Sequence, residues 1–229
     1  DMKIAIAQAN YHIGNFEGNY NKINRDFRRA EAAGADIVCF AELALTGYPP
    51  RDFLEFNDFI NQCLQYIDRI AADTKNSSTA VVVGAPAKNP VPEGKDLFNA
   101  AYFIAEGKVQ QVVHKALLPT YDIFDEYRYF EPGRTFEVVP YKGKKIALTV
   151  CEDIWDIGND NPLYISSPMD ELIRQGPDFM INISASPFDY AHAAERLKML
   201  KCNTSKYEIP AFYINHVGAQ TEIIFDGGS

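Results

Sequence analysis

Three residues of this 229-residue chain combine a reactive type with a telling place: a carboxylate at Glu42, an amine at Lys115 and a thiol at Cys151. Each follows an apolar run of strand-like composition: Ile37-Val38-Cys39-Phe40-Ala41 before Glu42, Val112-Val113-His114 before Lys115, and Ile146-Ala147-Leu148-Thr149-Val150 before Cys151. A free thiol, with an ordinary pKa of about 8.5, needs a base or a positive neighbour to act as a nucleophile at neutral pH. A carboxylate held by a lysine can take the thiol proton during attack on an amide carbonyl and return it to the leaving amine. The lysine, with backbone N–H groups following Cys151, can hold the developing oxyanion, each such donor typically contributing ~3–4 kcal/mol. The set is chemically sufficient for amide hydrolysis.

Taken singly, each residue has a plainer explanation. An unpaired cysteine is most often a small buried hydrophobe, and a charge at the end of a buried strand usually marks the point where the chain meets water. Cys39 and Cys202 read as core candidates, and Cys63 falls within a helix. His12, His114, His192 and His216 offer a Cys–His pairing instead, although none stands in a recognisable Cys–His protease context. The four cysteines are widely separated, with no Cys-x-x-Cys pair and no histidine at ligand spacing, so no metal is expected. Free thiols suit a reducing cytoplasm. Gly227-Gly228-Ser229 lacks the ending and the following helix of a phosphate loop and reads as a strand exit.

The elements that must position these groups follow from hydrophobic periodicity. Residues 2–8 alternate toward β. Tyr20, Ile23, Phe27 and Ala30 then recur at helical spacing up to Gly34, and a second strand covers 36–40. A helix over 57–74 precedes a strand over 79–85. A Pro/Gly-rich loop leads to strands over 97–105 and 109–114, with Glu106-Gly107 as their hairpin turn. Strands over 135–139 and 145–150 are joined at Tyr141-Lys142-Gly143. Helices over 169–175 and 192–206 then alternate with strands over 179–183, 212–215 and 222–225. Several strands are apolar on consecutive residues, so both faces of their sheets should be covered and helices should lie outside. One α/β domain spanning 1–229 and built as a layered sandwich is expected, with its polar groups at strand C-terminal ends, where open α/β sheets keep ligands.

Composition narrows the partners. The net charge of -9 opposes extended contact with nucleic acid, and no Lys/Arg stripe offsets it. The apolar runs are strand-sized and too short to span a membrane. A small-molecule partner fits better.

Read with their neighbours, these residues resemble the nitrilase superfamily of carbon–nitrogen hydrolases, whose catalytic set is Glu, Lys and Cys in the order found here. The closer resemblance is to the glutaminase domains of glutamine-dependent NAD synthetases. It rests on Glu42-Leu-Ala-Leu-Thr-Gly-Tyr-Pro-Pro50, Lys115-Ala-Leu-Leu-Pro-Thr-Tyr121, Phe124-Asp-Glu-Tyr-Arg-Tyr-Phe130-Glu-Pro-Gly133 and Cys151-Glu-Asp-Ile-Trp155. Asn182-Ile-Ser-Ala-Ser-Pro187 and the stretch from Val217 to Ser229 extend it over essentially the whole chain. The resemblance implies a four-layer αββα sandwich that hydrolyses glutamine to glutamate and ammonia. It makes Glu42 the general base, Lys115 the oxyanion-side cation and Cys151 the nucleophile that forms a glutamyl thioester. Glu126 resembles the second glutamate that positions substrate and lysine. Tyr121, Phe124, Glu152 and Ser186 align with positions that recognise the α-amino and α-carboxylate ends of the substrate.

The chain departs from the family pattern after Ser186-Pro187. Gly followed by Lys or Arg is usual there, and this chain has Ala191-His192. An imidazole, neutral for much of the time near pH 7, would replace the cation that pairs the α-carboxylate, with Arg196 the candidate for compensation. The resemblance further implies that ammonia passes to a synthetase domain C-terminal in the full-length protein, that ATP and Mg belong to that domain alone, and that the protein is a homo-oligomer. No cofactor is expected for this domain. The competing expectations are a stand-alone amidase or carbamoylase acting on another small amide, and a catalytically silent partner-binding domain.

Overall fold

Strands that are apolar on consecutive residues must find cover on both faces, and here they do so by building two sheets that share one interior. A computed structural model describes residues 1–7, 9–116, 128–150, 168–185 and 208–215. The first sheet is ordered β1 (Ile4–Ile6), β2 (Ile37–Cys39), β3 (Ala80–Lys88), β4 (Leu97–Ala105), β5 (Lys108–His114). Its first three strands are parallel, and β4 and β5 return antiparallel. The second sheet is ordered β6 (Val139–Tyr141), β7 (Lys144–Val150), β8 (Phe179–Ile183), β9 (Ala211–Ile214), with an antiparallel β6–β7 hairpin and parallel β7, β8 and β9. Parallel neighbours need crossovers. Helices α1 (Phe16–Ala32), α2 (Asn57–Asp73) and α3 (Pro168–Ile173) lie in three of them.

Alternation along each strand divides its side chains between two cores. Ile37, Cys39, Val82, Ala101 and Phe103 pack with Ile146, Leu148, Val150, Ile181 and Ile183 of the second sheet. The residues between them, Val38, Phe40, Val81, Val83, Tyr102 and Ile104, pack with Ile23 and Phe27 of α1 and Ile60, Cys63 and Ile67 of α2. On the far side of the second sheet Ala147, Met180, Ala211 and Tyr213 pack with Met169 and Leu172 of α3. The layers therefore run helix, sheet, sheet, helix, the expected αββα sandwich. Each fully buried Val, Leu or Ile contributes roughly 1.5–3 kcal/mol of transfer free energy, which explains why both sheets are apolar on two faces.

Helix α1 forms where the spacing of Tyr20, Ile23, Phe27 and Ala30 predicts it. Asn15 caps its start by accepting from the Gly18 N–H at 3.0 Å, and Gly34, with φ +74°, lets the chain leave it in the left-handed region. Strands 97–105 and 179–183 also form as read from sequence. Strand β3 continues past Ala85 because Pro86, Ala87 and Lys88 keep pairing with Asn99, Phe98 and Leu97. By then β2 has ended, so the missing N–H of Pro86 costs no ladder bond on that side. Residues 135–138 do not form the expected strand. Gln175 satisfies their backbone instead, accepting from the Val138 N–H at 3.0 Å and donating to the Phe136 carbonyl at 2.6 Å. A 3-10 turn, Arg51–Glu55, was not anticipated from sequence. The helix over 192–206 and the strand over 222–225 lie outside the described residues.

The two sheets are tied together at the edge where β2, β3 and β7 begin. Lys142, in the β6–β7 turn, donates to Asp36 Oδ1 and to the Ser78 carbonyl, both at 2.7 Å, and the Tyr141 hydroxyl donates to the same carbonyl at 3.0 Å. The Lys142 hydrogen bond, with one from the Lys3 backbone, holds the Asp36 carboxyl below the usual carboxylate range. Glu42 and Lys115 lie toward the opposite edge, where the parallel strands end.

Candidate active site

Glu42 lies beyond β2 rather than at its end. Phe40 N still donates to Val82 O at 2.8 Å, after which the chain turns through residues 42–46 with Leu43 at φ +50°. That turn passes against β3 so closely that a Cβ on Gly84 would lie 2.3 Å from Leu43 N, 2.5 Å from Ala41 O and 2.8 Å from the Glu42 carbonyl carbon. Leu45 N donates to Gly84 O at 3.3 Å, fixing the approach. Gly84→Ala is expected to push the Glu42 turn away from β3, costing about 1–3 kcal/mol of stability by overpacking. It should also slow turnover about tenfold or more, since small displacements of a catalytic group are expensive. Thermal unfolding and turnover per folded molecule measure the two effects, and a parent-like Gly84→Ala protein would show that the close approach does not position Glu42.

Lys115 extends the β4–β5 ladder by one residue. Its N–H donates to Asn99 O at 2.8 Å, and its carbonyl accepts from Gly133 N at 2.9 Å. Gly133 again permits a close approach, because a Cβ there would sit 2.7 Å from His114 O and 2.8 Å from His114 Cβ. The His114 ring stacks on Phe98 with centroids 3.8 Å apart, and burial lowers its proton affinity, favouring the neutral imidazole.

The two charged side chains, 73 residues apart in sequence, meet inside the protein. Lys115 Nζ donates to Glu42 Oε2 at 2.8 Å, and both side chains are 1 % exposed. Asn99, fully buried in β4, donates from Nδ2 to the same oxygen at 2.7 Å. Replacing a buried ion pair by apolar residues is often neutral or stabilising, so an enclosed carboxylate and ammonium argue more for chemistry than for stability. Asn99 was not singled out from sequence, although a lone amide in Leu97-Phe98-Asn99-Ala100-Ala101 is the signal that could have found it.

Strand β7 ends at Val150, and Cys151 is the next residue in the chain. Val150 pairs with Ile183 of β8, and the following residue, Ser184, accepts from Glu42 N across the sheets at 3.4 Å. The end of β7 is thus one strand away from the Glu42 backbone. Buried polar groups gather on this edge of the second sheet: Asn182 Nδ2 donates to Thr149 Oγ1 at 2.9 Å and Asn215 Nδ2 to the Tyr213 hydroxyl at 3.4 Å. Cys151 and Glu152, with Tyr121, Phe124, Glu126, Ser186, His192 and Arg196, lie outside the described residues. Cys39 and Cys63 are both buried, and burial pushes both thiols up, which leaves them inert members of the core.

A carboxylate in a turn and a lysine at a strand end, paired and enclosed in an αββα sandwich, define a class, and residues 3–227 match the carbon-nitrogen hydrolase family. The chain belongs to that family. Within it, the chain is 38% identical over 234 residues to the glutamine-dependent NAD(+) synthetase of Synechocystis sp., covering 99% of this chain and 41% of that protein. It is 35% identical over 228 residues to the enzyme of the same name from Thermotoga maritima, covering 100% and 38%. The chain therefore spans about two fifths of the length of these relatives. The solved glutamine-dependent NAD+ synthetase from Acinetobacter baumannii, in complex with ADP, superposes with a TM-score of 0.83 at 30% identity, over 98% of this chain and 40% of that one. An amidase from Nesterenkonia sp. AN1, seen with acrylamide added at its active-site cysteine, has a TM-score of 0.76 over 99% of this chain and 83% of that one. At 21% identity its likeness speaks for the fold alone.

Proposed function

We propose that the chain hydrolyses the side-chain amide of glutamine to glutamate and ammonia through a thioester on Cys151. The ammonia would serve ATP-dependent amidation of nicotinate adenine dinucleotide by a synthetase domain of a longer protein. The observation that carries this reading is the buried 2.8 Å Lys115–Glu42 pair, set one strand away from the end of β7 that leads into Cys151. The similarity to glutamine-dependent NAD synthetases along 99% of the chain supports glutamine as the amide.

In this reading Glu42 accepts the Cys151 proton as sulfur attacks the amide carbon. Lys115 stabilises the oxyanion, and the C–N bond breaks as Glu42 passes the proton to the departing ammonia. Water then attacks the thioester carbonyl, giving one proton to Glu42, and the C–S bond breaks as that proton returns to sulfur. Glu126 positions substrate and lysine. Tyr121, Phe124, Glu152 and Ser186 hold the amino-acid end, and His192 stands where the family places a cation for the α-carboxylate.

Ammonia release from glutamine, compared with a panel of simple amides and carbamoyl compounds, tests the substrate. Glutamine should lead in kcat/KM by about 100-fold or more, because a site built for an ammonium and a carboxylate leaves buried polar groups unpaired with any analogue that lacks them. An equal or better rate on a simple amide or a carbamoyl compound would replace glutaminase with a stand-alone amidase or carbamoylase. The chain alone is expected to turn over more slowly than the longer protein, a comparison made in the same assay.

A further inference from the structure

We propose that Asn99 is the positioning residue of the site, orienting the Glu42 carboxylate with its side chain and the Lys115 backbone with its main chain. The inference rests on the reading of Glu42 as the proton carrier. By alternation along β4, Asn99 shares the strand face of Ala101 and Phe103, which line the apolar interior between the sheets. An amide there, with no exposed surface, is costly unless its hydrogen bonds are met. Its side-chain Nδ2 donates to Glu42 Oε2 at 2.7 Å, while its main-chain carbonyl oxygen accepts from Lys115 N at 2.8 Å. One residue therefore touches both members of the pair.

The geometry explains why lysine alone would not suffice. An ammonium is a compact charge on a flexible stem that follows a carboxylate through a range of rotations. A planar amide fixed in a strand has a preferred direction. With Lys115 Nζ at 2.8 Å and Asn99 Nδ2 at 2.7 Å on one oxygen, the plane of the carboxylate is set. A carboxylate in a set plane presents its second oxygen to the reacting proton in one orientation. In this scheme Asn99 acts through Glu42.

The test compares Asn99→Leu, and Asn99→Asp, which keeps the volume while replacing the donor by an acceptor, with the parent in whichever form, this chain or the longer protein, turns over glutamine faster. Rates are expressed per active site titrated at Cys151, and glutamine affinity is measured separately in a Cys151→Ala background. We expect kcat per site to fall about 10- to 100-fold in both variants, with KM and glutamine affinity within about threefold of the parent. In a Glu42→Asp background, where the shorter side chain withdraws the carboxylate from Asn99, adding Asn99→Leu should cost less than about threefold more. An unchanged kcat per site, or the same loss in both backgrounds, would overturn the proposal and leave Asn99 a packing residue. So would failure of both variants to fold. If Cys151→Ala kills turnover while Asn99→Leu is normal per site, only this inference fails; if Cys151→Ala turns over normally, the proposed function itself fails.

Discussion

Cys151→Ala is expected to reduce glutamine hydrolysis to background, a loss on the order of 10⁴-fold or more, since removal of a nucleophile abolishes the covalent route altogether. The two thiols among the described residues cannot substitute for it. Cys39 and Cys63 have no exposed surface, and burial pushes both thiols further from ionisation. The fold should survive, because the interior between the sheets is closed by Ile146, Leu148, Val150, Ile181 and Ile183, none of which is altered. Turnover, thermal unfolding and intact mass in the presence of glutamine check the three parts. The parent should show a transient glutamyl adduct that the variant lacks. Normal turnover by Cys151→Ala would remove the nucleophile assignment and with it the thioester.

The second large effect concerns stability as well as rate. Lys115→Met leaves Glu42 buried without its cation, and breaking a buried pair from one side typically costs about 3–5 kcal/mol. For a chain of 229 residues that corresponds to a fall of roughly 10 °C in the unfolding midpoint. Combining Lys115→Met with Glu42→Gln removes the stranded charge, so most of the lost stability should return while turnover stays at background. Thermal unfolding of the two single variants and the double variant gives the coupling directly. A Lys115→Met protein as stable as the parent would mean that the carboxylate is not stranded by the loss, and would undo the argument that the pair is kept for chemistry at a structural cost. Equal losses in the single and double variants would do the same.

Much of the scaffold was legible because apolar runs bounded by turn residues leave few alternatives. Strand β4 was read to the residue. At its end Glu106 and Gly107, with φ of +55° and +85°, form the turn that their types suggest. The segment 135–138 departs from its strand-like pattern for a reason no local pattern contains. Its alternation suits a strand, yet the Gln175 side chain, 37 residues from Val138, holds its backbone in place of a neighbouring strand. Glu42 was expected at a strand end and lies in a turn past it, because β2 gives way where the chain crosses Gly84.

For the site, the sequence by itself determined the chemistry on offer. It presents a carboxylate, an amine and a thiol, each after an apolar strand, in the order of a carbon–nitrogen hydrolase. Residue types and covalent order are enough for that, since reactivity belongs to functional groups and an apolar run must be buried wherever it folds. Only the tertiary structure decided that Glu42 and Lys115 share a hydrogen bond in the buried interior, that Asn99 also donates to Glu42, and that Gly84 and Gly133 must lack side chains for the backbones to come so near. The contacts on Glu42 join residues 57 and 73 positions apart at 2.7 and 2.8 Å. A hydrogen bond weakens steeply with small errors in distance and angle, so it is set by sheet register and close packing, which no stretch of sequence carries alone.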